Sequence, residues 1–254
     1  MTELTTQDGF LGGQLRISQP KDGFRSGHDA VLLAASLSPA MPVEKLCELG
    51  SGAGVVSLCA AARLPQLEVT GIEIDEAQLA LARDNAEQNG LADRVRFIAG
   101  DLTAPFDTLG LAANHFDMVL ANPPYYRTGT VPEPENQAKA RAHLAAAQSM
   151  DIWVSRACAL ARAGAYVAFI QRAEALPELL AAFTPRLGDI VILPIAPREG
   201  AAAHRVILCG RRDRRGAPTL LPPLYLQNEQ GAPSVAAENI LRHGAALAFA
   251  PVGG

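Results

Sequence analysis

The sequence lacks the features of an exported or membrane-spanning protein. No apolar run approaches the length of a membrane span, and Met1-Thr2-Glu3-Leu4 does not have the basic and then apolar pattern of a signal peptide. A net charge of −4 argues against a protein that coats nucleic acid without specificity. With 49% apolar and 19% charged residues, the chain has the composition of a globular protein, and we predict a cytoplasmic location.

Cysteine and histidine are too scattered to indicate a disulfide framework or a metal site. The four cysteines form no CxxC pair and have no clustered histidines beside them; they are Cys47, Cys59, Cys158 and Cys209. Such cysteines are typical of small buried residues in a protein of a reducing compartment. We therefore expect neither a disulfide nor a bound metal.

The chain also lacks internal repeats and any linker long enough to separate two domains. We predict a single domain over residues 1–254, with a short extension at about 1–22 and an appended strand and helix at about 216–254. Residues 1–13 are polar and glycine-containing, which predicts a frayed segment. Residues 127–142 are polar and broken by prolines, which predicts a mobile loop over the functional site.

What the sequence does contain is a regular alternation of predicted strands and helices. The strands are expected at 44–49, 68–75, 94–99, 116–121, 166–170, 190–193 and 206–208, and the principal helices at 55–62, 77–89, 152–161 and 173–182. This order predicts an α/β fold whose sheet is mostly parallel and doubly wound.

A glycine-rich turn joins the first of these strands to its helix. Gly50-Ser51-Gly52-Ala53-Gly54 follows a strand and precedes a helix, which is the first unit of a nucleotide-binding α/β fold. It is not a dinucleotide fingerprint, because position 55 is valine and the third glycine comes one residue early. By itself such a turn is weak evidence, since its glycines mainly let a ligand approach the backbone closely.

Acidic residues end the next two strands. Glu73 lies 23 residues after Gly50, about where a carboxylate takes the two hydroxyls of a ribose. Asp101 follows the third strand and could accept a hydrogen bond from an adenine amine, with Leu102 against the ring. A Gly-Asp pair that simply turns the chain is an equally common interpretation.

The fourth strand ends in Asn122-Pro123-Pro124-Tyr125. Neither proline has an N–H, so the strand cannot continue, and the carboxyl ends of strands are where ligands bind in open α/β sheets. The Asn122 side-chain oxygen and the Pro123 carbonyl could accept both N–H bonds of a conjugated amine, while Tyr125 could stack on a flat substrate. The alternative is a proline-rich turn or a PPxY ligand for a small adaptor domain.

Arginines are concentrated near the C-terminal end. The segment contains Arg205, Arg211, Arg212, Arg214 and Arg215. A run of this kind is most often a solvated loop, and it can also contact a phosphate backbone.

Four motifs, in their order along the chain, resemble those of the class I S-adenosylmethionine-dependent methyltransferases, over roughly residues 24–210. They are the glycine-rich turn, the acidic end of the second strand, the Gly-Asp pair after the third strand and the Asn-Pro-Pro-Tyr turn after the fourth. The Asn-Pro-Pro-Tyr motif is similar to that of the branch that methylates exocyclic amines of adenine or guanine, or a glutamine amide. The resemblance implies a Rossmann-like sheet of seven strands, mostly parallel with one antiparallel strand, and S-adenosylmethionine as the cofactor.

The resemblance also implies a role for each motif residue. The implied cofactor-binding residues are Arg25, Asp29, Glu48, Gly50, Ser51, Gly52, Gly54, Glu73, Ile74, Asp101, Leu102 and Asn122. The implied catalytic residues are Asn122, Pro123, Pro124 and Tyr125. Methyl transfer would then depend on proximity and on fixing the amine's lone pair, without a general base.

The flanking residues indicate a narrower group. Arg25-x-Gly27-x-Asp29 before a Leu-Leu-Ala helix, and Ala140-Arg141 after the proline turn, are similar to the bacterial tRNA adenine-N6 methyltransferases. His28 stands where that group more often has a small hydroxyl residue. The resemblance implies an RNA substrate, tRNA ahead of ribosomal RNA, with Arg141 and the arginine segment as RNA contacts.

Besides amino-methylation of a ribosomal RNA purine, two other functions remain open at this point. A glutamine N5-methyltransferase of a translation release factor would use the same proline turn, although that family usually carries a helical domain before the glycine turn. DNA adenine methylation would need a sizeable recognition insertion, which we do not find. A cofactor-binding and RNA-binding module without catalysis is the alternative that is not an enzyme.

Overall fold

The structure, a computed structural model, describes residues 5–22, 25–124 and 149–249. Its strands are β1 (Thr5–Phe10), β2 (Leu15–Pro20), β3 (Lys45–Leu49), β4 (Glu68–Glu73), β5 (Val95–Ala99), β6 (Phe116–Ala121), β7 (Ala161–Arg172), β8 (Leu187–Ala196), β9 (Arg205–Arg212), β10 (Thr219–Leu220) and β11 (Leu224–Tyr225). Its α-helices are α1 (His28–Ala35), α2 (Val55–Arg63), α3 (Glu76–Gln88), α4 (Met150–Leu160), α5 (Leu176–Phe183) and α6 (Val235–His243). Short 3-10 turns lie at Leu11–Gly13, Phe106–Leu109 and Ala173–Ala175.

The main sheet has the order β10-β8-β9-β7-β6-β3-β4-β5, and β11 also pairs with β8. Every pairing in it is parallel except those of β9, which runs antiparallel to both β7 and β8. The predicted Rossmann-like sheet with one antiparallel strand is therefore confirmed. The structure adds β10 and β11, two residues each, beyond the seven expected strands.

The central strands are apolar along their length because helices cover both faces of the sheet. One face packs against α1, α2, α3 and α6, and the other packs against α4 and α5. In β6, Met118, Val119, Leu120 and Ala121 are all fully buried. Such a run has no polar alternation, and this lack of alternation is the sequence signal that predicted a buried parallel strand.

The strand order reverses between β3 and β6. The chain goes from β3 outward through β4 to β5, and then returns to the other side of β3 to form β6. In an open α/β sheet the crevice at such a switch point, outside the carboxyl ends of the strands, is where ligands bind. The glycine turn after β3 and the Asn-Pro-Pro turn after β6 both begin at this crevice.

The prediction that residues 1–13 fray is wrong for residues 5–13. Strand β1 pairs with β2 in an antiparallel hairpin, and Phe10 and Leu11 at its turn are buried in the core. These two apolar residues, at the end of a polar segment, anchor it. The segment 127–142, predicted to be a loop over the site, lies outside the described residues.

All four cysteines are buried and unpaired, as the sequence predicts. Burial raises the pKa of the Cys158 thiol to about 11, and it raises the pKa values of the other three as well. These thiols are therefore protonated and inert at neutral pH. Within the described ranges, none of the helices combines the length and apolarity needed to cross a bilayer.

A buried asparagine on α3 holds the hairpin to the glycine turn. The Asn85 side chain is fully buried; its amide nitrogen donates to the carbonyls of Ser18 and Ala53, both at 3.0 Å, and its oxygen accepts from the Ser18 N–H at 2.8 Å. One side chain thus satisfies backbone groups from two separate segments. One turn later, Asn89 makes a similar pair of bonds to the backbone of Arg16, at the surface.

We expect Asn85→Ala to lower the free energy of unfolding by about 2–4 kcal/mol, because it leaves buried backbone groups without partners. Asn89→Ala is the matched control and should cost about 1 kcal/mol or less, because water replaces its bonds. Urea unfolding followed by circular dichroism measures both. Equal, small losses in the two variants would contradict the role given to Asn85.

Candidate active site

A cavity of about 740 Å³ opens at the carboxyl ends of β3, β4, β5 and β6. A volume of this size suits a cofactor or a drug-sized ligand. The sequence-predicted site residues that line it are Gly50, Gly52, Glu73, Ile74, Asp101, Leu102, Asn122 and Pro124. Motifs spread over more than 70 residues of chain therefore come together in one crevice.

The glycine turn is closely packed from both sides. Gly50 has φ +66°, and a Cβ placed on it would lie 2.7 Å from the ring of Trp153 on α4. Gly54 has φ +87°, and a Cβ there would lie 2.6 Å from the ring of Phe97. Both positions therefore require glycine, for backbone conformation and for space. Trp153, which also lines the cavity, is the single tryptophan of the chain.

The Glu73 carboxylate connects the end of β4 to the glycine turn. One oxygen accepts from the Gly52 N–H at 2.7 Å, and the other accepts from the N–H groups of Ile74 and Asp75 at 2.9 and 2.8 Å. The side chain is 8% exposed and faces the cavity. Because a carboxylate offers about four acceptor positions, it retains capacity for a hydroxyl donor.

Two further motif residues are buried, Glu48 beneath the turn and Ser51 within it. The Glu48 carboxyl accepts from the Ser57 N–H at 2.9 Å and from its hydroxyl at 2.5 Å. Burial raises the pKa of Glu48 to about 8, although the Ser57 bonds act in the opposite direction. The side chain of Ser51 packs toward Gly71, and its hydroxyl oxygen is buried without a hydrogen-bond partner among the described residues.

The wall made by β4 and β5 combines an acid with apolar surface. Asp101 accepts from the N–H and the hydroxyl of Thr103 at 2.7 and 2.8 Å, so it does turn the chain as well as line the cavity. Leu102 lies beside it, and Ile74 leaves 65% of its surface exposed at the rim. Apolar side chains that are at least partly exposed, next to a carboxylate, suit the face and the edge of a heterocyclic base.

A buried glutamine that the sequence analysis missed contacts the Asn-Pro-Pro turn. Gln171, 4% exposed at the end of β7, donates from its side-chain nitrogen to the Pro123 carbonyl at 3.4 Å, and its oxygen accepts from the Arg172 N–H at 2.9 Å. Because Pro123 and Pro124 have no N–H, their backbone can be held only through its carbonyls. The sequence did contain a signal for this residue, namely a polar glutamine at the end of an otherwise apolar strand.

The structure gives Arg25 and Asp29 other partners. Arg25 forms an ion pair with Asp8 of the hairpin at 2.7 Å, and Asp29 forms one with Arg205 at 2.6 Å. Neither Arg25 nor Asp29 is among the residues that line the cavity. Two other predicted site residues, Tyr125 and Arg141, lie outside the described part of the chain.

The arginine segment is divided between the two edges of the sheet. Strand β9 begins at the carboxyl edge with Arg205 and, because it is antiparallel, ends about 25 Å away at the opposite edge. There Arg211 lies over the Tyr166 ring at 5.0 Å, and Arg212 donates to the Ala161 carbonyl and to Asn114. Arg214 and Arg215 follow as exposed residues at that opposite edge.

The cavity fits the cofactor that the resemblance implies. Its glycine backbone admits close approach, the Glu73 carboxylate suits ribose hydroxyls, and the apolar rim with Asp101 suits adenine. Within the described ranges, no group of three or more histidine, cysteine, aspartate or glutamate side chains is placed to hold a metal ion.

Comparison with known sequences agrees with this geometry. Residues 42–178, just over half of the chain, match a sequence model of the family described as "Methyltransferase domain". A tRNA1(Val) (adenine(37)-N6)-methyltransferase of Actinobacillus succinogenes is 27% identical over 212 residues, which cover 82% of this chain and 85% of that relative. A protein of the same name from Porphyromonas gingivalis is 33% identical over 140 residues, and this match spans about half (54%) of each chain.

Two other similarities bear on the substrate and the fold. A release factor glutamine methyltransferase of Chlorobaculum tepidum is 28% identical over 192 residues, covering 72% of this chain and 64% of that one. Among solved structures, a predicted O-methyltransferase of Agrobacterium tumefaciens aligns with a TM-score of 0.72 and 27% identity. This alignment covers 85% of this chain and 97% of that one.

The buried Glu48 predicts a specific pH dependence of stability. Its carboxyl has a pKa of about 8 in the folded protein and an ordinary value of 4.5, so its stabilising contribution is complete below pH 4.5 and is lost as pH rises toward 8. Glu48→Gln should remove this loss. Its free energy of unfolding, relative to wild type, should therefore rise between pH 5 and 8 by on the order of a few kcal/mol.

Urea denaturation at a series of pH values measures this difference. If the free energies of unfolding of wild type and Glu48→Gln changed in parallel with pH over that range, the inference that Glu48 is neutral in the folded protein would be contradicted.

Proposed function

The chain belongs to the methyltransferase-domain family, and we propose that it uses S-adenosylmethionine to methylate N6 of an adenine in tRNA. The observation that carries the proposal is the position of Asn122 and Pro124 in the lining of the same cavity as Glu73 and Asp101. Acceptors for an amine therefore lie beside groups suited to an adenosine. The names of the Actinobacillus and Porphyromonas relatives support tRNA adenine as the substrate.

We propose that the ends of β3, β4 and β5 each bind a different part of the cofactor. Gly50 and Gly52 would line its methionine part, Glu73 would accept from the ribose hydroxyls, and Asp101 with Leu102 would contact the adenine. When bound, S-adenosylmethionine supplies an electrophilic methyl group on a sulfonium. The remaining task of the protein is to present a nucleophilic nitrogen in line with that methyl group.

The exocyclic amine of adenine is a poor nucleophile because its lone pair is delocalised into the ring. The Asn122 side-chain oxygen and the Pro123 carbonyl would accept its two N–H bonds and hold the nitrogen in a pyramidal form. With the cofactor bound, this arrangement would present the nitrogen for direct transfer of the methyl group from the sulfonium sulfur, and the extra proton would then leave the nitrogen for water. No general base is needed for this sequence of steps.

We further propose that Gln171 is a positioning residue for this reaction. Its donated bond occupies one side of the Pro123 carbonyl and orients the Asn-Pro-Pro turn, whose prolines offer no donor of their own. The second lone pair of the same carbonyl remains for the substrate amine. Gln171 thus acts through Pro123 and does not itself touch the reacting atoms.

The second candidate substrate is the glutamine amide of a release factor. The Chlorobaculum relative carries that name, and an amide nitrogen needs the same pair of acceptors. The two candidates differ in the acceptor molecule and not in the transfer chemistry, so a direct transfer experiment separates them.

The proposal is tested by incubating the protein with S-adenosylmethionine labelled in its methyl group and, separately, with total tRNA, ribosomal RNA or a release factor. We expect label in tRNA that digests to N6-methyladenosine. Label in the release factor would move the assignment to the glutamine reaction. Cofactor binding without label in any of the three would contradict the proposed function and favour a binding module.

For Gln171 we expect a loss in kcat without a loss of cofactor affinity. Gln171→Met keeps the length of the side chain and removes the donor, so kcat at saturating tRNA should fall about tenfold. Gln171→Glu should recover activity, relative to wild type, as pH falls, because a protonated carboxyl donates again. An unchanged kcat in Gln171→Met would contradict the positioning role of Gln171. So would a Gln171→Glu variant whose activity does not recover at lower pH.

A further inference from the structure

A second cavity, of about 680 Å³, lies outside the candidate active site. It is formed by the turn of the β1–β2 hairpin, the start of α1, the segments that follow β8 and β11, and helix α6. All of these elements lie outside residues 42–178, the part of the chain that matches the family.

The groove has an apolar floor and a polar rim. Phe10 and Leu11 contribute buried apolar surface, and Leu226 and Leu241 are half-buried. The rim residues are the exposed His28, His204, Gln227 and Arg242, together with the half-buried Glu238. Arg242 and Glu238 form an ion pair with each other at 3.0 Å, so the rim is rich in hydrogen-bonding groups and its charge is balanced.

One end of the groove, with His28 and His204, lies at the edge of the sheet that carries Asn122. In the paired strands, Arg172 at the end of β7 lies opposite Arg205 at the start of β9, and Arg205 lies opposite Ile195 near the end of β8. His204 precedes Arg205, and His28 precedes Asp29, which binds Arg205 at 2.6 Å. His204 therefore lies at the same edge of the sheet as the end of β6, on the second strand from it, and the Asp29–Arg205 ion pair holds the start of α1, with His28, beside it.

A flat molecule with apolar faces and polar edges fits this combination of groups. An unpaired nucleobase has this form, and proteins recognise single-stranded RNA by stacking splayed bases on aromatic or histidine rings and by bonding their edges. Among the described residues, the rim has no continuous patch of positive charge of the kind that would indicate contact with a phosphate backbone. The size and position of the groove therefore suit a base next to the target adenine.

We propose that this groove binds an unpaired RNA base that flanks the methylated nucleotide, with His28 and His204 contacting it. The inference rests on the proposed RNA substrate. It assigns substrate selection to the hairpin, α1 and the C-terminal segments, and leaves the chemistry to the cofactor cavity.

The test is a thermodynamic cycle between the groove and the RNA. The protein variant is His28→Ala combined with His204→Ala, and its matched control is His115→Ala, an exposed histidine at the opposite edge of the sheet. The RNA is an anticodon stem-loop, compared with versions in which each base near the target adenine is in turn replaced by an abasic residue. Fluorescence anisotropy measures the affinity of each protein for each RNA.

Removing the base at one position should weaken RNA binding by wild type and by His115→Ala about tenfold, which is the contribution of one stacked base. The same abasic RNA should bind the double variant as tightly as the intact RNA does. Cofactor affinity should be the same in all three proteins. Equal effects of every abasic position in wild type and double variant would overturn the groove proposal. So would a double variant that loses affinity for a release factor and not for RNA.

These outcomes are separable from failure of the proposed function. Methyl transfer to tRNA by wild type, together with a cycle that shows no coupling, would overturn only the groove. Label found in a release factor and never in RNA would overturn the tRNA assignment and the groove together.

Discussion

The pairing of β3 with β6 is the constraint on which the rest of the site depends. In this parallel ladder Leu49 lies opposite Ala121, so the glycine turn and the Asn-Pro-Pro turn leave neighbouring strands at the same level. Strand order reverses at this pair, and in open α/β sheets such a reversal opens a crevice at the carboxyl ends of the strands. A slip of one residue in the register would turn the side chains of β6 to opposite faces and displace Asn122 from the cavity.

Buried polar groups then hold the two turns in place. The Glu73 carboxylate accepts a hydrogen bond from the Gly52 N–H. The side-chain amide of Asn85 donates to the Ala53 carbonyl, and that of Gln171 donates to the Pro123 carbonyl. Each of these side chains satisfies backbone groups that the irregular turns cannot satisfy among themselves. These bonds therefore tie the turns of the site to regular elements. The apolar core around it supplies the general stability.

The sequence predicted the parts of the molecule that depend on local pattern. Buried strands, the glycine turn and the proline turn each have a residue signature, and their order predicted the sheet and the cavity. Contacts between distant segments have no such signature, which is why the tie from Asn85 to the hairpin and the bond from Gln171 to Pro123 were missed. The arginine segment 205–215 shows the same limit, since strand direction alone separates Arg205 from the others.

We propose that Asn122 acts on the methyl acceptor and that the neighbouring strand ends hold most of the cofactor. The most direct test of this proposal is Asn122→Ala, measured by methyl transfer to tRNA and by cofactor titration of the fluorescence of Trp153, the single tryptophan, which lines the cavity. We expect transfer to be abolished while cofactor affinity stays within a few-fold of wild type. Equal loss of both would contradict the proposal, because Asn122 would then serve to bind the cofactor.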